Sequence, residues 1–221
     1  MNIFSVRIGN KYGPEYEDYL KSKLPTIRFI NRAVDPYILQ WNKIRAFNEE
    51  SIEPICVIDC DVSLVGEYME LFEYPIKRGQ FLSIPSWWND TDPKRGYQIN
   101  GGFYKFYPQD TCYIWEKFNS DPYKWMSYYV KNGTTIGPLN GEQYFVEDSV
   151  KERLELILAP GEWVTQWNED WHFKRYEYME SQYPGDYIYD GEINPEIKLV
   201  HHQHQPSREP GNIRLKFLQY Q

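Results

Sequence analysis

Two aspartates separated by one residue, Asp59 and Asp61, directly follow the apolar run 55–58. Such a run is typical of a strand that is buried on both faces and whose carboxyl end opens into a ligand site. Because residues i and i+2 of an extended chain point to the same side, both carboxylates are expected to face one pocket, while Cys60 turns into the core. Two carboxylate oxygens suit a divalent cation such as Mg²⁺ or Mn²⁺ that keeps positions open for a diphosphate; a solvated turn is the alternative.

Three histidines, His201, His202 and His204, follow a short apolar segment near the end of the chain. Imidazole is a frequent metal ligand, and His204 can face one site together with either His201 or His202. The cluster therefore adds candidate metal ligands, with a solvated histidine cluster as the alternative.

Two further groups of polar or small residues occur in predicted regular structure. Asn100, Gly101 and Gly102 lie in a predicted strand, where adjacent glycines cost stability unless a bulge or a ligand requires the backbone close. Glu142 and Gln143 open a predicted helix and can offer an acid or an amide to a ligand, although acids at helix starts are commonly only partners of the helix dipole.

The elements that must position these residues alternate between strand and helix, which predicts an α/β fold. The predicted strands are 2–8, 26–30, 55–59, 80–84, 99–107, 155–158 and 197–201, and the predicted helices are about 15–23, 37–49, near 64–73, 110–119, 122–131 and 141–153. The segments 85–98 and 160–196 are predicted as loops. No repeat or linker divides the chain, so a single domain over 1–221 is expected.

The composition restricts the partners of the chain. Of 221 residues, 24 are Lys or Arg and 32 are Asp or Glu, which gives a net charge of -8, so there is no basic surplus for binding nucleic acid. The absence of a signal-like start and of any run approaching about 18 apolar residues predicts no signal peptide and no membrane span. Cys56, Cys60 and Cys112 form no CxxC pair, so free thiols and a cytoplasmic location are expected.

In their order along the chain, these motifs resemble those of the nucleotide-sugar glycosyltransferases of the GT-A fold, particularly the glycogenin-like and galactosyltransferase-like group and its compact microbial or viral members. The resemblance spans nearly the whole chain, from the segment 6–12 to the histidine cluster. It implies a Rossmann-like central mixed sheet flanked by helices, with a nucleotide-binding part at about 1–110 and an acceptor-side part at about 111–221.

The resemblance also implies roles for individual residues. The site for the nucleobase is matched by Ile8, Asn10 and Tyr12, and the strand that contacts the donor sugar by Asn100, Gly101 and Gly102. Positive charge near the diphosphate is matched by Lys43 of the Trp-x-Lys motif and by Arg208. The metal site for Mn²⁺ or Mg²⁺ is matched by Asp59, Asp61 and a histidine, which is His201 by position or else His204.

The activity implied is transfer of a glycosyl group from a nucleoside diphosphate, expected to be UDP, to an acceptor hydroxyl of a glycan or another molecule. The metal would stabilise the negative charge of the departing diphosphate. An inverting enzyme needs a carboxylate base, for which Glu142 and Asp148 are candidates, whereas in a retaining enzyme Gln143 would act on the other face of the sugar. Glu142 stands where the family usually has aspartate, which indicates a reshaped sugar pocket.

Three alternatives explain fewer of these motifs. A carbohydrate-binding module would use Trp87, Trp88 and the tyrosine-rich segment 160–190 as stacking surfaces. A glycoside hydrolase would use two carboxylates such as Glu142 and Asp148. A sugar nucleotidyltransferase would bind a metal–triphosphate at the same acidic strand end.

Overall fold

A computed structural model describes residues 1–9, 12–86, 98–133, 141–168, 172–174, 188–189, 192–193 and 196–201. The strands are β1 (Asn2–Val6), β2 (Arg28–Ile30), β3 (Ile55–Asp59), β4 (Val62–Leu64), β5 (Gln80–Pro85), β6 (Ile99–Phe106), β7 (Glu155–Leu158), β8 (Val164–Asn168), β9 (His172–Lys174), β10 (Ile188–Tyr189), β11 (Glu192–Ile193) and β12 (Leu199–His201). The α-helices are α1 (Pro14–Lys23), α2 (Met69–Glu73), α3 (Pro108–Ser120), α4 (Pro122–Gly133) and α5 (Glu142–Arg153). Within these described residues, 3₁₀ helices span Leu39–Asn48 and Gly161–Trp163.

A six-stranded mixed sheet with the order β2-β1-β3-β6-β5-β7 forms the centre of the fold. Its middle strand β3 is parallel to β1 and antiparallel to β6, with Ile58 opposite Phe103. Because β6 runs against β3, β6 begins at the same edge at which β1 and β3 end. Asn100, Gly101 and Gly102 at the start of β6 therefore lie at the edge that carries Asp59.

Apolar side chains cover both faces of this sheet, as expected for a strand with the continuous apolar run of β3. Ile55 and Val57 pack into a cluster with the 3₁₀ helix Leu39–Asn48, α3 and α5. Cys56 and Ile58 face the opposite cluster, which includes side chains of α1 and α2. The predicted α/β fold with a mixed central sheet flanked by helices is confirmed.

A smaller four-stranded sheet has the order β4-β12-β8-β9. β12 is antiparallel to β4, with His201 opposite Val62, and parallel to β8. Cys60 and Asp61 form the turn that connects β3 of the large sheet to β4 of the small one. The pairing of β12 with β4 in the small sheet therefore places His201 near the carboxyl end of β3.

The segment predicted as a helix over 37–49 forms a 3₁₀ helix at Leu39–Asn48. Side chains three residues apart share one face of a 3₁₀ helix, and Trp41, Ile44 and Phe47 are all fully buried on that spacing. Ile38, three residues before Trp41, lies at the N-cap, outside the helix, and is exposed. The spacing of three in this segment thus fits the tighter helix.

Two other predictions were wrong in part. The helix predicted near 64–73 is confined to Met69–Glu73. Leu64 instead ends β4, which pairs with the distant β12, and the N–H of Val65 donates to the carbonyl of Lys198. The segment 160–196, predicted as a loop, contains β8, β9, β10 and β11. β4 and β8 both pair with the distant β12, whereas β9 pairs with the neighbouring β8 and β10 pairs with β11. Among the described residues, no helix is both long and apolar enough to cross a membrane.

Candidate metal and donor site

Asp59, Asp61 and His201 converge where the two sheets meet. Each offers one ligand atom, and these atoms lie within 4.8 Å of one another. His201 Nε2 is 3.5 Å from Asp59 Oδ2 and 3.9 Å from Asp61 Oδ1. Carboxylate oxygens favour Mg²⁺ or Mn²⁺, and the imidazole adds a nitrogen ligand that a transition ion such as Mn²⁺ accepts. The side chains present therefore fit the implied ion.

The two aspartates converge for a reason other than strand alternation. Asp59 is the last residue of β3, and Asp61 lies in the turn to β4, not in extended backbone. The turn directs Asp61 back toward the end of β3, where His201 arrives on β12. Cys60 is buried, as the sequence predicted, and burial raises the pKa of its thiol.

Each aspartate has one carboxylate oxygen directed at His201 and the other held by a protein donor. Lys43 Nζ lies 2.5 Å from Asp59 Oδ1. The hydroxyl of Tyr12 donates a hydrogen bond of 2.6 Å to Asp61 Oδ2. The orientation of both carboxylates is therefore fixed by neighbours from outside β3.

Lys43 is almost completely buried, and three oxygen acceptors surround its ammonium group. Besides contacting Asp59, Nζ donates to the carbonyl of Gly101 at 2.7 Å and lies 3.7 Å from Glu142 Oε2. These acceptors match the three donor hydrogens of an ammonium group. Burial alone would lower the pKa of Lys43, but Asp59 and Glu142 outweigh it and the pKa is raised. Burial likewise opposes ionisation of Asp59, but Lys43 lowers its pKa, so the pair is ionised.

Glu142 lies at the start of α5 beside this ion pair. Its side chain is almost fully buried, and Tyr104 donates a hydrogen bond of 3.3 Å to Oε1. Burial raises the pKa of Glu142 to about 7, against the opposing effect of Lys43. Near neutral pH, both the protonated and the ionised form of this carboxyl group are therefore populated.

The other two catalytic candidates occupy different faces of α5. Gln143 Oε1 accepts a hydrogen bond of 3.1 Å from the backbone N–H of Gly101, so it contacts the start of β6. Asp148 Oδ2 accepts a hydrogen bond of 2.7 Å from Tyr129 of α4. Gln143 thus lies at the site, whereas Asp148 faces α4.

Asn100 presents a hydrogen-bond donor at this edge. Its Oδ1 accepts the backbone N–H of Gly102 at 2.6 Å, and this contact fixes which end of the amide is the oxygen. Its buried Nδ2 has no hydrogen-bond partner among the described residues. Buried polar groups are usually paired, so this Nδ2 is available to an oxygen atom of a ligand.

Gly102 is required by a close approach. A Cβ atom there would lie 2.9 Å from Asn100 Oδ1 and 3.0 Å from His201 Cδ2. The register between β5 and β6 also shifts here, between Ser83 and Ile84, so the sequence's alternative of a bulge is correct as well. The bulge and the approach of His201 together explain the paired glycines.

Sequence reasoning missed Glu147, which holds the beginning of β6. Its fully buried carboxylate accepts hydrogen bonds of 2.8–2.9 Å from the backbone N–H groups of Gln98 and Ile99 and pairs with Lys151 at 2.5 Å. The available signal was its spacing of four residues from Gln143, which puts both side chains on the same face of a helix.

Several predicted residues lie outside the described residues: Asn10, His204 and Arg208, together with His202, Trp87 and Trp88. Ile8 is described: it is half-buried, lies beyond the end of β1, and precedes Gly9, which has a positive φ of 81°.

The described architecture is the fold of the GT-A glycosyltransferases. An active-site mutant of LgtC superposes with a TM-score of 0.60 at 10% identity, over 100% of this chain and 95% of that chain. The galactosyltransferase LgtC in complex with donor and acceptor sugar analogues gives a TM-score of 0.56 at 11% identity, over 92% and 87% of the two chains. GlyE of Streptococcus pneumoniae TIGR4, also a glycosyltransferase, gives 0.56 at 12% identity, over 99% of this chain and 60% of GlyE. No protein-family model matches the chain, and no curated protein matches it significantly.

Proposed function

We propose that this protein is a metal-dependent glycosyltransferase that transfers a sugar from a nucleoside diphosphate, UDP, to a hydroxyl group of a glycan or another acceptor. The observation that carries the proposal is the convergence of Asp59, Asp61 and His201 at the carboxyl edge of a GT-A sheet. The similarity in fold to LgtC, which was crystallised with donor and acceptor sugar analogues, supports the same substrate classes.

The charge on the leaving diphosphate is the main chemical difficulty of such a transfer. A divalent cation, Mn²⁺ or Mg²⁺, bound by Asp59, Asp61 and His201 supplies Lewis-acid stabilisation of that charge. Lys43 keeps Asp59 ionised and oriented. Asn100 Nδ2 donates a hydrogen bond to an oxygen of the donor.

The roles of the remaining candidates follow from their surroundings. Glu142 and Gln143 lie beside Lys43 and Gly101, so we propose that they act on the sugar side of the site. Asp148 stays a candidate base, at about two helical turns from the start of α5. We propose that Ile8, Asn10 and Tyr12 bind the nucleobase of the donor. His204 is proposed as a further metal ligand, and Arg208 as a contact of the diphosphate.

The same proposal assigns different parts of the chain to the nucleotide and to the acceptor. We propose one domain over 1–221 whose nucleotide-binding part, at about 1–110, contributes the strand ends of β1, β3 and β6. The acceptor-side part, at about 111–221, contributes α5 and the histidine of β12.

Calorimetric titration of UDP tests the proposal, first with Mn²⁺ and then with a chelator. We expect binding that requires the metal, because the diphosphate would share the ion with Asp59, Asp61 and His201. A panel of UDP-sugars then identifies the donor by release of UDP. Binding of a glycan without metal or nucleotide would instead support a carbohydrate-binding module. Consumption of a nucleoside triphosphate with a sugar phosphate would support a nucleotidyltransferase.

A further inference from the structure

The two aspartates of the metal site are held in the same way by two different side chains. Lys43 contacts Asp59 Oδ1 at 2.5 Å and leaves Oδ2 directed at His201. Tyr12 donates to Asp61 Oδ2 at 2.6 Å, while Oδ1 is directed at His201. Tyr12 therefore holds one carboxylate oxygen of Asp61, just as Lys43 holds one carboxylate oxygen of Asp59.

We propose that Tyr12 is a positioning residue of the metal site, whose hydroxyl orients Asp61 so that Oδ1 faces the bound ion. This proposal rests on the proposed function, which supplies the ion. The proposal also gives Tyr12 a second role besides binding of the nucleobase. One side chain would then contact both the proposed nucleobase site and the proposed metal site.

The surroundings of Tyr12 restrict its movement. Its ring lies just before α1 and packs against the ring of Tyr16, with the centroids 5.0 Å apart and the planes inclined at 60°. A tyrosine hydroxyl is protonated at neutral pH, so it can donate this hydrogen bond to the carboxylate of Asp61.

Loss of such a hydrogen bond has a characteristic effect on metal binding. Partners that orient metal-binding side chains typically change metal affinity by about 10- to 100-fold when they are removed. Without the Tyr12 hydroxyl, Asp61 would have to be ordered by the ion itself. The metal affinity should fall even when no nucleotide is present.

The experiment compares Tyr12→Phe with Tyr19→Phe. Tyr19 lies on α1, and its hydroxyl accepts from the N–H of Leu64 at 2.8 Å and donates to the carbonyl of Leu64 at 3.3 Å. It is a partly buried tyrosine whose hydrogen bonds with Leu64 involve backbone groups and not a carboxylate. Mn²⁺ is titrated into each protein without nucleotide, free Mn²⁺ is followed by electron paramagnetic resonance, and thermal melting checks that each variant is folded.

We expect the dissociation constant for Mn²⁺ to rise about 10-fold in Tyr12→Phe and to stay within about twofold of the wild type in Tyr19→Phe. Equal affinity of the wild type and Tyr12→Phe would overturn the role of Tyr12 and leave the proposed function intact. An equal loss in both variants would also overturn it, because the effect would then be general. A wild-type protein that binds no Mn²⁺ would overturn the metal site, and the proposed mechanism with it.

Discussion

The acidic residues at the end of β3 and those on α5 use their carboxylate oxygens differently. Asp59 and Asp61 each give one oxygen to a protein donor and direct the other at His201. Glu147 has both oxygens in contact with the backbone of Gln98 and Ile99 or with Lys151. The aspartates therefore retain binding capacity for a ligand, whereas Glu147 holds the framework.

Glu142 stands between these two cases. It lies at the site, but its oxygens contact Tyr104 and Lys43, and it is as buried as a framework residue. Substitutions in the three groups should separate effects on turnover from effects on stability.

The largest effect is expected for Asp61→Asn. We expect metal-dependent release of UDP from the donor to fall about 1000-fold, because about 4 kcal/mol of charge stabilisation in the transition state is lost with the metal. The free energy of unfolding without metal should not decrease, since one of two neighbouring negative charges is removed. Turnover is measured with saturating Mn²⁺, and undiminished turnover would remove Asp61 from the site.

For Glu147→Ala, the effect should fall on stability. The substitution leaves two backbone N–H groups and Lys151 without the carboxylate, so we expect the free energy of unfolding to drop by about 3 kcal/mol. Urea denaturation measures the change. Glu152→Ala is the control: Glu152 pairs with Lys117 at 2.5 Å, but its side chain is 49% exposed, and such pairs contribute less than about 1 kcal/mol. Equal effects of the two variants would contradict the framework role.

Glu142→Gln tests the intermediate case through pH. The pKa of Glu142 is raised on folding from about 4.5 to about 7, so the folded protein binds the extra proton and is favoured at low pH. This contribution is fully present below about pH 4.5 and is lost as the pH rises through about 7. We expect the wild type to lose on the order of 3 kcal/mol across this window relative to Glu142→Gln. Urea denaturation of both proteins at a series of pH values gives the difference, and parallel curves would show that burial of Glu142 carries no such cost.

The smallest effect is expected for Gly102→Ala. The added methyl would meet Asn100 Oδ1 and the His201 ring at 3.0 Å or less, and displacing them costs about 1 kcal/mol, or roughly a fivefold weaker Mn²⁺ affinity. The control Gly101→Ala points its methyl at Tyr104 and Gln143 instead, at 3.2 Å or more. Metal titration that finds the same affinity in both variants would show that His201 is not held by Gly102.

The candidate site was predictable where the chemistry lies in short motifs. The apolar run before Asp59 indicated a buried strand, and the paired glycines indicated a bulge; both are present. The same reasoning missed Glu147, whose partners are backbone N–H groups of a strand far away in the sequence. It also missed β4 and β8, because their strand character comes from pairing with other segments.

By itself the sequence determined the alternation of strands and helices, the buried β3 and the acidic pair that follows it, because these depend on local hydrophobic pattern and residue type. The tertiary structure decided which donor holds each carboxylate. Lys43 and Tyr12 come from separate elements and reach Asp59 and Asp61 only when the 3₁₀ helix and the start of α1 pack against the end of β3. It also decided that His201 faces both aspartates, because the turn at Cys60 and Asp61 joins two sheets and the pairing of β12 with β4 places His201 opposite Val62. Such contacts depend on which segments pair in three dimensions, and no local pattern in the chain encodes that.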